Sequence, residues 1–271
     1  MNKSFKLIAI LSTLLFTLSL SAGCGQQSSP NAEKTLKVGV TAGPHAEVME
    51  VVKKVAEKDG LKIQVVEFND YIQPNVALSQ GDIDVNSFQH QPYLDHIIKD
   101  RKYDIVAVAK TVIFPMGIYS VKIKNITDLP EGAIVTLPND PTNGGRALLL
   151  LEKNNLIKLK PGAGLKAALT DIIENPKKIV LKELDAAQIP RSLADMDMAA
   201  INTNYAITAG LVPTKDAIAI EDINSPYANI IAVRSKDKND PSVQKLIKAY
   251  HSEEVKIFIQ EHFKGSVAVG W

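Results

Sequence analysis

Between Glu67 and Leu94 the chain reads EFNDYIQPNVALSQGDIDVNSFQHQPYL, dense in Asn, Gln, His and aromatic residues and poor in charge. A core strand is not expected to hold that many amides, nor a surface loop that many rings. The mixture suits the wall of a small pocket, where rings supply area and amides supply direction. Tyr71, Phe88 and Tyr93 are the candidate rings. Aromatic residues make up only 6% of the chain, so three beside so many amides favours a pocket over ordinary core packing, the other account. Such rings can embrace an apolar or thioether side chain, sulfur–aromatic contact adding on the order of 0.3–1.5 kcal/mol. His90, between Gln89 and Gln91, reads as a neutral imidazole donating a hydrogen bond in the pocket; an ordinary buried histidine is the plainer reading.

Further along, Asn139–Gly145 (NDPTNGG) reads as a glycine-rich turn feeding a helix from Arg146 to Lys153. Backbone N–H groups at a helix start favour an anion, and a guanidinium there can hold a carboxylate bidentately. A solvated first-turn arginine is the alternative. Asn202 (AINTNYA) and Asn229 (SPYANII) fall at predicted strand edges. Their carbonyls can accept from an ammonium and their amides donate to a carboxylate, or they simply cap loops.

Other chemistries find no support. His45, His90, His96, His251 and His262 fall at no metal-ligand spacing, so no metal is expected. No Gly-x-Ser-x-Gly or comparable nucleophile arrangement is present. Asp82, Asp84, Asp195 and Asp197 read as turn and cap residues. The chain therefore reads as a binder and not an enzyme, with no catalytic residues and no cofactor. A formal net charge of +1 without a long basic run excludes nucleic-acid binding.

The elements that must position these residues alternate between strand and helix. Leu36–Val40 and Ile63–Val66 read as strands flanking a helix that opens at Pro44 and stops at Gly60, a βαβ start to a parallel sheet. A helix from Pro74 to Gln80, another from Gln91 to Lys99 and a strand from Ile105 to Val112 follow. From Phe114 the pattern begins afresh, with strands at Met116–Ser120, Ala133–Leu137, Ile179–Leu181, Met198–Ile201, Ile218–Ile220 and Asn229–Val233. Helices are predicted at Ala186–Leu193, Thr203–Ala209, Pro241–Tyr250 and Glu253–Phe263. Ser79-Gln-Gly-Asp82-Ile-Asp84-Val85 aligns without gaps with Ser192-Leu-Ala-Asp195-Met-Asp197-Met198. Coincidence among common residues is one account. The other is a pair of α/β lobes of similar plan, each presenting polar residues to a shared crevice. On that account residues 35–112, with 232–271 returning, form lobe 1 and residues 113–231 form lobe 2. Connections near Thr111–Phe114 and Asn229–Ala232 would make a two-segment hinge.

The first residues differ from the rest. Lys3 and Lys6 precede an apolar run from Leu7 to Leu20, followed by Ser21, Ala22, Gly23 and Cys24. A basic start, an apolar run too short to span a bilayer comfortably and small residues at its end predict a signal peptide over residues 1–23, a short membrane anchor being the alternative. Cys24 is the only cysteine, which precludes an intramolecular disulfide. Cys24 after Ala-Gly resembles the lipobox of bacterial lipoproteins, although Ser21 stands where that pattern usually has Leu. The resemblance implies cleavage before Cys24 and lipidation of its thiol, with residues 24–34 a flexible tether.

Taken together, VGVTAGPHAEVME, FNDYIQPNVALSQGDIDVNSFQHQPYL, FPMGIYS, LPNDPTNGGRALLLLE, AINTNYA, SPYANIIAVR and GSVAVGW resemble the NlpA-type methionine-binding lipoproteins, substrate-binding components of bacterial ABC importers. The resemblance implies a type II periplasmic-binding fold, two α/β lobes joined by a two-segment hinge with the ligand between them. It implies that Tyr71, Phe88, His90 and Tyr93 line a side-chain pocket, that Arg146 clamps a carboxylate, and that Asn202 and Asn229 hold the ligand's amino and carboxylate groups, with Asn204 nearby. The implied ligand is L-methionine or a close relative, such as another small amino acid or a methionine-containing dipeptide. The implied partners are an ABC permease with its ATPase, and the implied place is the extracytoplasmic membrane face, anchored by the acylated Cys24 (diacylglyceryl and palmitate). A surface adhesin is the remote alternative.

Overall fold

The short apolar runs and amphipathic stretches resolve, in a computed structural model that describes residues 35–271, into strands and helices in steady alternation. The leader, Cys24 and the tether lie outside the described residues. In chain order the strands are β1 (Leu36–Thr41), β2 (Ile63–Phe68), β3 (Val85–His90), β4 (Ile105–Ile113), β5 (Gly117–Tyr119), β6 (Ile134–Pro138), β7 (Lys158–Leu159), β8 (Ile172–Glu174), β9 (Val180–Leu184), β10 (Met198–Ile201), β11 (Ala219–Ile220), β12 (Ala228–Arg234) and β13 (Ala268–Val269). Among them run the helices α1 (Pro44–Lys58), α2 (Gln73–Gln80), α3 (Gln91–Arg101), α4 (Pro141–Lys153), α5 (Ile189–Ser192), α6 (Thr203–Thr208), α7 (Pro213–Asp216), α8 (Pro241–Tyr250) and α9 (Glu253–Phe263). Among the described residues no helix is long and apolar enough to cross a membrane.

Two sheets carry most of the strands. The larger has the order β13-β4-β12-β3-β1-β2 and the smaller β11-β5-β10-β6-β9. Each is built on a parallel trio, β2-β1-β3 in one and β9-β6-β10 in the other, extended by antiparallel strands. The chain leaves the larger sheet after Ile113 and returns with Ala228. Asn229–Ala232, predicted as the second crossing, lies inside β12 instead, paired to both β3 and β4. The crossing itself occupies residues 221–227, a polar segment that the apolar run after it obscures in the sequence.

Both sheets are covered on both faces, and most of their central strands read as apolar runs, with β3 the exception. Val48, Met49 and Val52 of α1, with Leu246 of α8 and Ile259 of α9, pack on Val38, Val40, Val85 and Ile231. On the opposite face Leu78 and Leu94 meet Ile83, Ile230 and Ala232. In the smaller sheet Ala147, Leu148 and Leu151 of α4 cover Val135, Leu137, Met198 and Ala200, while Ile189 and Ala206 cover Tyr119, Ala199 and Ile201. Each buried Val, Leu, Ile or Met among these contributes about 1.5–3 kcal/mol. A single charge at Val48, 0% exposed, would therefore cost more than the side chain it replaces contributes.

The repeated Asp-x-Asp segments do the same job in the two sheets. Asp84 donates its backbone N–H to Lys37 O at 2.9 Å and accepts Lys37 N–H on its carboxylate at 3.0 Å. Asp197 donates to Ile134 O at 3.0 Å and accepts Ile134 N–H at 2.8 Å. Each aspartate thus sets the register of a parallel strand entering beside the middle strand of its parallel trio. The strands then deliver Phe88 and His90 from one sheet and Asn202 and Asn204 from the other.

One expectation fails here in an informative way. β3 is a core strand in which all six residues, VNSFQH, are buried. Its amides are not spent on a ligand. Asn75 Nδ2 donates to Gln89 Oε1 at 2.8 Å, Gln89 Nε2 donates to Asn75 Oδ1 at 2.8 Å and Asn86 Oδ1 at 3.0 Å, and Asn86 Nδ2 donates to Asn75 Oδ1 at 2.9 Å. A buried polar group is tolerated when its partners are supplied, and here three amides supply one another. The network pins α2 to β3 behind the rings.

Candidate ligand-binding site

A cavity with an empty volume of about 350 Å³, its opening included, lies between the C-terminal ends of the parallel strands of both sheets. Tyr71, Phe88, His90, Tyr93, Arg146, Asn202 and Asn229, all predicted from the sequence, line it together with Asn204. His45, Gln89, Phe114, Asn143 and Thr203 also line it and are not among the predicted site residues.

The rings form one end. Tyr71, Phe88 and Tyr93 stand with centroids 6.0–6.2 Å apart, Tyr93 edge-on to both of the others. Their hydroxyls are already committed: Tyr71 donates to Asn204 Oδ1 at 2.6 Å and Tyr93 to Tyr71 O at 3.0 Å. Burial pushes both phenols well above their usual range, so they remain neutral donors. With the hydroxyls turned into the protein, the face left for a ligand is largely apolar.

His90 caps α3. Its Nδ1 accepts Tyr93 N–H at 3.1 Å, which puts the ring proton on Nε2, 3.2 Å from Asn143 Oδ1. Asn143 Oδ1 also accepts from Asn202 Nδ2 at 2.8 Å. Burial and the nearby Arg146 charge hold His90 down to about 3, and burial does the same to His45, partly offset by the Phe88 carbonyl. Both imidazoles are neutral at ordinary pH. Thus His90 is the predicted neutral donor, but its proton goes to Asn143 and fixes that amide's orientation.

Arg146 occupies a different place from the one its sequence context predicts. Helix α4 begins at Pro141, so Gly144 and Gly145 lie inside it and Arg146 belongs to its second turn. The helix start is not free for an anion either, because Asp140 Oδ1 accepts from Thr142 N at 3.2 Å and Asn143 N at 2.9 Å. The local reason for the glycines is close packing: a Cβ on Gly145 would lie 2.8 Å from Ala167 O. Arg146 is 3% exposed. Its Nε donates to both oxygens of Glu221 at 3.1 Å, its Nη2 donates to Glu221 and to Phe114 O (2.8 Å in the latter case), and its Cζ lies 4.2 Å from the Tyr227 ring centroid. These contacts use Nε and Nη2, and Arg146 still lines the cavity. Neither Glu221 nor Tyr227 carried any signal in the sequence, since their partner lies far away along the chain.

The polar end has atoms without partners. Asn202 Oδ1 and Asn204 Nδ2 are buried and unpaired, one an acceptor and one a donor. Asn229 Nδ2 donates to Phe88 O at 3.0 Å and to His45 Nε2 at 2.8 Å, leaving its carbonyl oxygen unengaged. Contacts such as Tyr71–Asn204 and His90–Asn143 bridge the crevice from the larger sheet to α6 and α4 of the smaller.

The NlpA lipoprotein family model matches residues 36–271. The chain belongs to the NlpA lipoprotein family. It is 50% identical to the D-methionine-binding lipoprotein MetQ of Salmonella typhimurium, with 98% of each chain covered. Its fold matches a nutrient binding protein from Burkholderia cenocepacia solved bound to methionine (TM-score 0.86, 59% identity, 88% of this chain and 100% of that one). It also matches the crystal structure of the methionine binding protein MetQ (TM-score 0.86, 50% identity, 88% of this chain and 98% of that one). The α/β architecture is therefore that of this family's substrate-binding proteins.

Proposed function

We propose that this chain is an extracytoplasmic substrate-binding lipoprotein that captures methionine and delivers it to an ABC importer. What carries the reading is one cavity that joins a ring-walled end to a guanidinium and unpaired amide atoms. Tyr71, Phe88 and Tyr93 hold the thioether tail, with His90 orienting Asn143 beside them. Arg146 takes the carboxylate, assisted by Asn204 Nδ2, and the carbonyl oxygens of Asn202 and Asn229 accept from the ammonium. Burying a zwitterion is costly unless both ends are satisfied, which is why this combination suits an amino acid. The Burkholderia cenocepacia relative's methionine and the name of the Salmonella relative support the same ligand.

Each sheet with its helices acts as one lobe, and residues 114–116 and 221–227 serve as the hinge. The ligand drives closure by binding the closed form more tightly than the open one, and the closed form docks on the permease. The protein acts by binding, without turnover. Residues 1–23 are removed and Cys24 carries the lipid that tethers residues 25–34 to the membrane.

Native mass spectrometry of gently purified protein, followed by calorimetry with L-methionine, D-methionine, other small amino acids and methionine dipeptides, tests this reading. A retained mass of methionine and tightest binding to one of its enantiomers is the expected result. Tighter binding of another amino acid or a dipeptide reassigns the ligand, and no binding by any of them favours an adhesin. Mass analysis of the membrane fraction checks the anchor, which Cys24→Ser should abolish.

A further inference from the structure

Arg146 shares its guanidinium with a carboxylate from outside the cavity wall. Glu221 accepts from Nε through both oxygens at 3.1 Å and again from Nη2. It is itself fixed from behind. Glu221 N donates to Met116 O at 2.9 Å, extending the β11–β5 ladder, and its Oε2 accepts from Met116 N at 3.3 Å. The pair is largely dry, with side-chain exposures of 3% for Arg146 and 14% for Glu221.

The cavity lining itself contains no carboxylate, and its two histidines have both ring nitrogens engaged as neutral imidazoles. Asp140, close behind Asn143, is committed to the first turn of α4 and to the Asn143 amide at 2.8 Å. Those neutral donors leave Asp140 its charge, which reaches the rings at the far end of the cavity. Directly at Arg146 the formal charge is set by the guanidinium and Glu221, and those two cancel.

We propose that Glu221 sets the charge selectivity of the site, so that the closed crevice takes a ligand of zero net charge and rejects an anion with the same carboxylate and tail. This rests on the reading that the ligand's carboxylate meets Arg146. An arginine with no carboxylate behind it would leave the crevice positive. A monoanion would neutralise it, while the ammonium of a zwitterion would sit in a repulsive field. With Glu221 in place the order reverses. The anion leaves an uncompensated negative charge in a water-poor site, and the zwitterion leaves none. The acceptors available to the ammonium, Asn202 Oδ1 and Asn229 Oδ1, are dipoles without charge, so Glu221 supplies the negative charge that balances the site.

The test compares methionine with γ-methylthiobutyrate, the same molecule without its amino group, by calorimetry on the full mature protein and on Glu221→Gln. Wild type should prefer methionine, and E221Q should shift the ratio of the two affinities toward γ-methylthiobutyrate by at least about tenfold, because the same change in potential favours the carboxylate and disfavours the ammonium. Glu221→Asp, which keeps the charge, should restore the wild-type ratio. A merely structural role would weaken both ligands alike and leave the ratio where it was. A shift of less than about tenfold in E221Q overturns the proposal whatever the absolute affinities do, since a full unit of charge beside the site acts on the carboxylate and the ammonium in opposite directions. If thermal melting shows E221Q to be unfolded, Glu221→Ser carries the same comparison with the same two outcomes. Wild type that binds neither compound overturns the methionine reading and this inference with it. Wild type that binds methionine, with an unmoved ratio in the variant, overturns this inference alone.

Discussion

His45 Nε2 accepts a hydrogen bond from Asn229 Nδ2 at 2.8 Å, joining positions 184 residues apart in the sequence. The direction follows from the neighbours. Asn229's amide nitrogen also faces Phe88 O, a pure acceptor, at 3.0 Å, so nitrogen and not oxygen points that way and its second hydrogen meets His45. His45 Nδ1 then carries the ring proton and donates to Thr41 Oγ1 at 2.7 Å. The Asn229 carbonyl is what remains for a ligand. Asn229→Ala should remove that acceptor and also strand His45 Nε2, lowering methionine affinity at least about tenfold and stability by about 1–3 kcal/mol. Calorimetry and urea unfolding check the two effects separately. Unchanged affinity would remove Asn229 from the site.

Arg146→Ala should weaken methionine binding by about 2–5 kcal/mol, the range for leaving a buried charge unpaired. Because Glu221 loses its partner as well, the unliganded variant should also melt lower, which a carboxylate clamp free of other partners would not cause. Arg146→Lys keeps the charge but not the fork and should fall between the two in affinity. Near-wild-type binding by R146A would refute the carboxylate assignment.

The two buried histidines make a prediction about acid. Folded His45 and His90 are held down to about 3 by burial, against 6.5 in the unfolded chain. Below the unfolded value the denatured chain takes up protons that the folded one refuses. Stability is thus full above about pH 6.5 and declines as pH falls toward 3, each histidine adding up to about 1.4 kcal/mol per pH unit. Urea midpoints measured between pH 7 and 4.5 should fall, and His90→Gln should fall less steeply than wild type. Equal slopes would show that His90 titrates in the folded protein.

Gly145→Ala sets two effects against each other. Alanine in a helix interior is favoured over glycine by about 1 kcal/mol. Yet the new Cβ would meet Ala167 O at 2.8 Å and Leu165 O at 3.3 Å, both backbone atoms that yield poorly. The clash should win, at a net cost of about 1–3 kcal/mol, and shift α4 enough to weaken ligand binding through Arg146. Gly81→Ala is the control. It sits at φ +90° with nothing near its missing Cβ, and should lower stability by about 1–2 kcal/mol while leaving affinity alone. Thermal melts and calorimetry on the pair separate the cases.

Much of this molecule is legible one segment at a time. Pro44, Gly60 and Gly81 mark helix ends where they were predicted, and Met198–Ile201, Pro241–Tyr250 and Glu253–Phe263 match their expected bounds. Periodicity and chain punctuation are local, so sequence alone carries them. The same holds for the candidate residues: rings, a guanidinium and amides stand out by type, and Tyr71, Phe88, His90, Tyr93, Arg146, Asn202 and Asn229 do meet at one cavity. Misreadings arose where a local rule met a distant neighbour. Gly144 and Gly145 signalled a turn, but they sit inside α4 because the Ala167 backbone passes close by.

What only the tertiary structure decided is which atoms remain free once the protein has satisfied itself. The amides of Asn75, Asn86 and Gln89 look like ligand contacts by type and are consumed by one another. Arg146 looks like a lone cation and is half of a pair with Glu221, 75 residues away, a partnership made by the pairing of β11 with β5. Composition and spacing tell which groups a chain possesses. Hydrogen bonds and ion pairs are short-range and directional, so whether a group is spent inside or left for a ligand depends on distant strands meeting within about 3 Å.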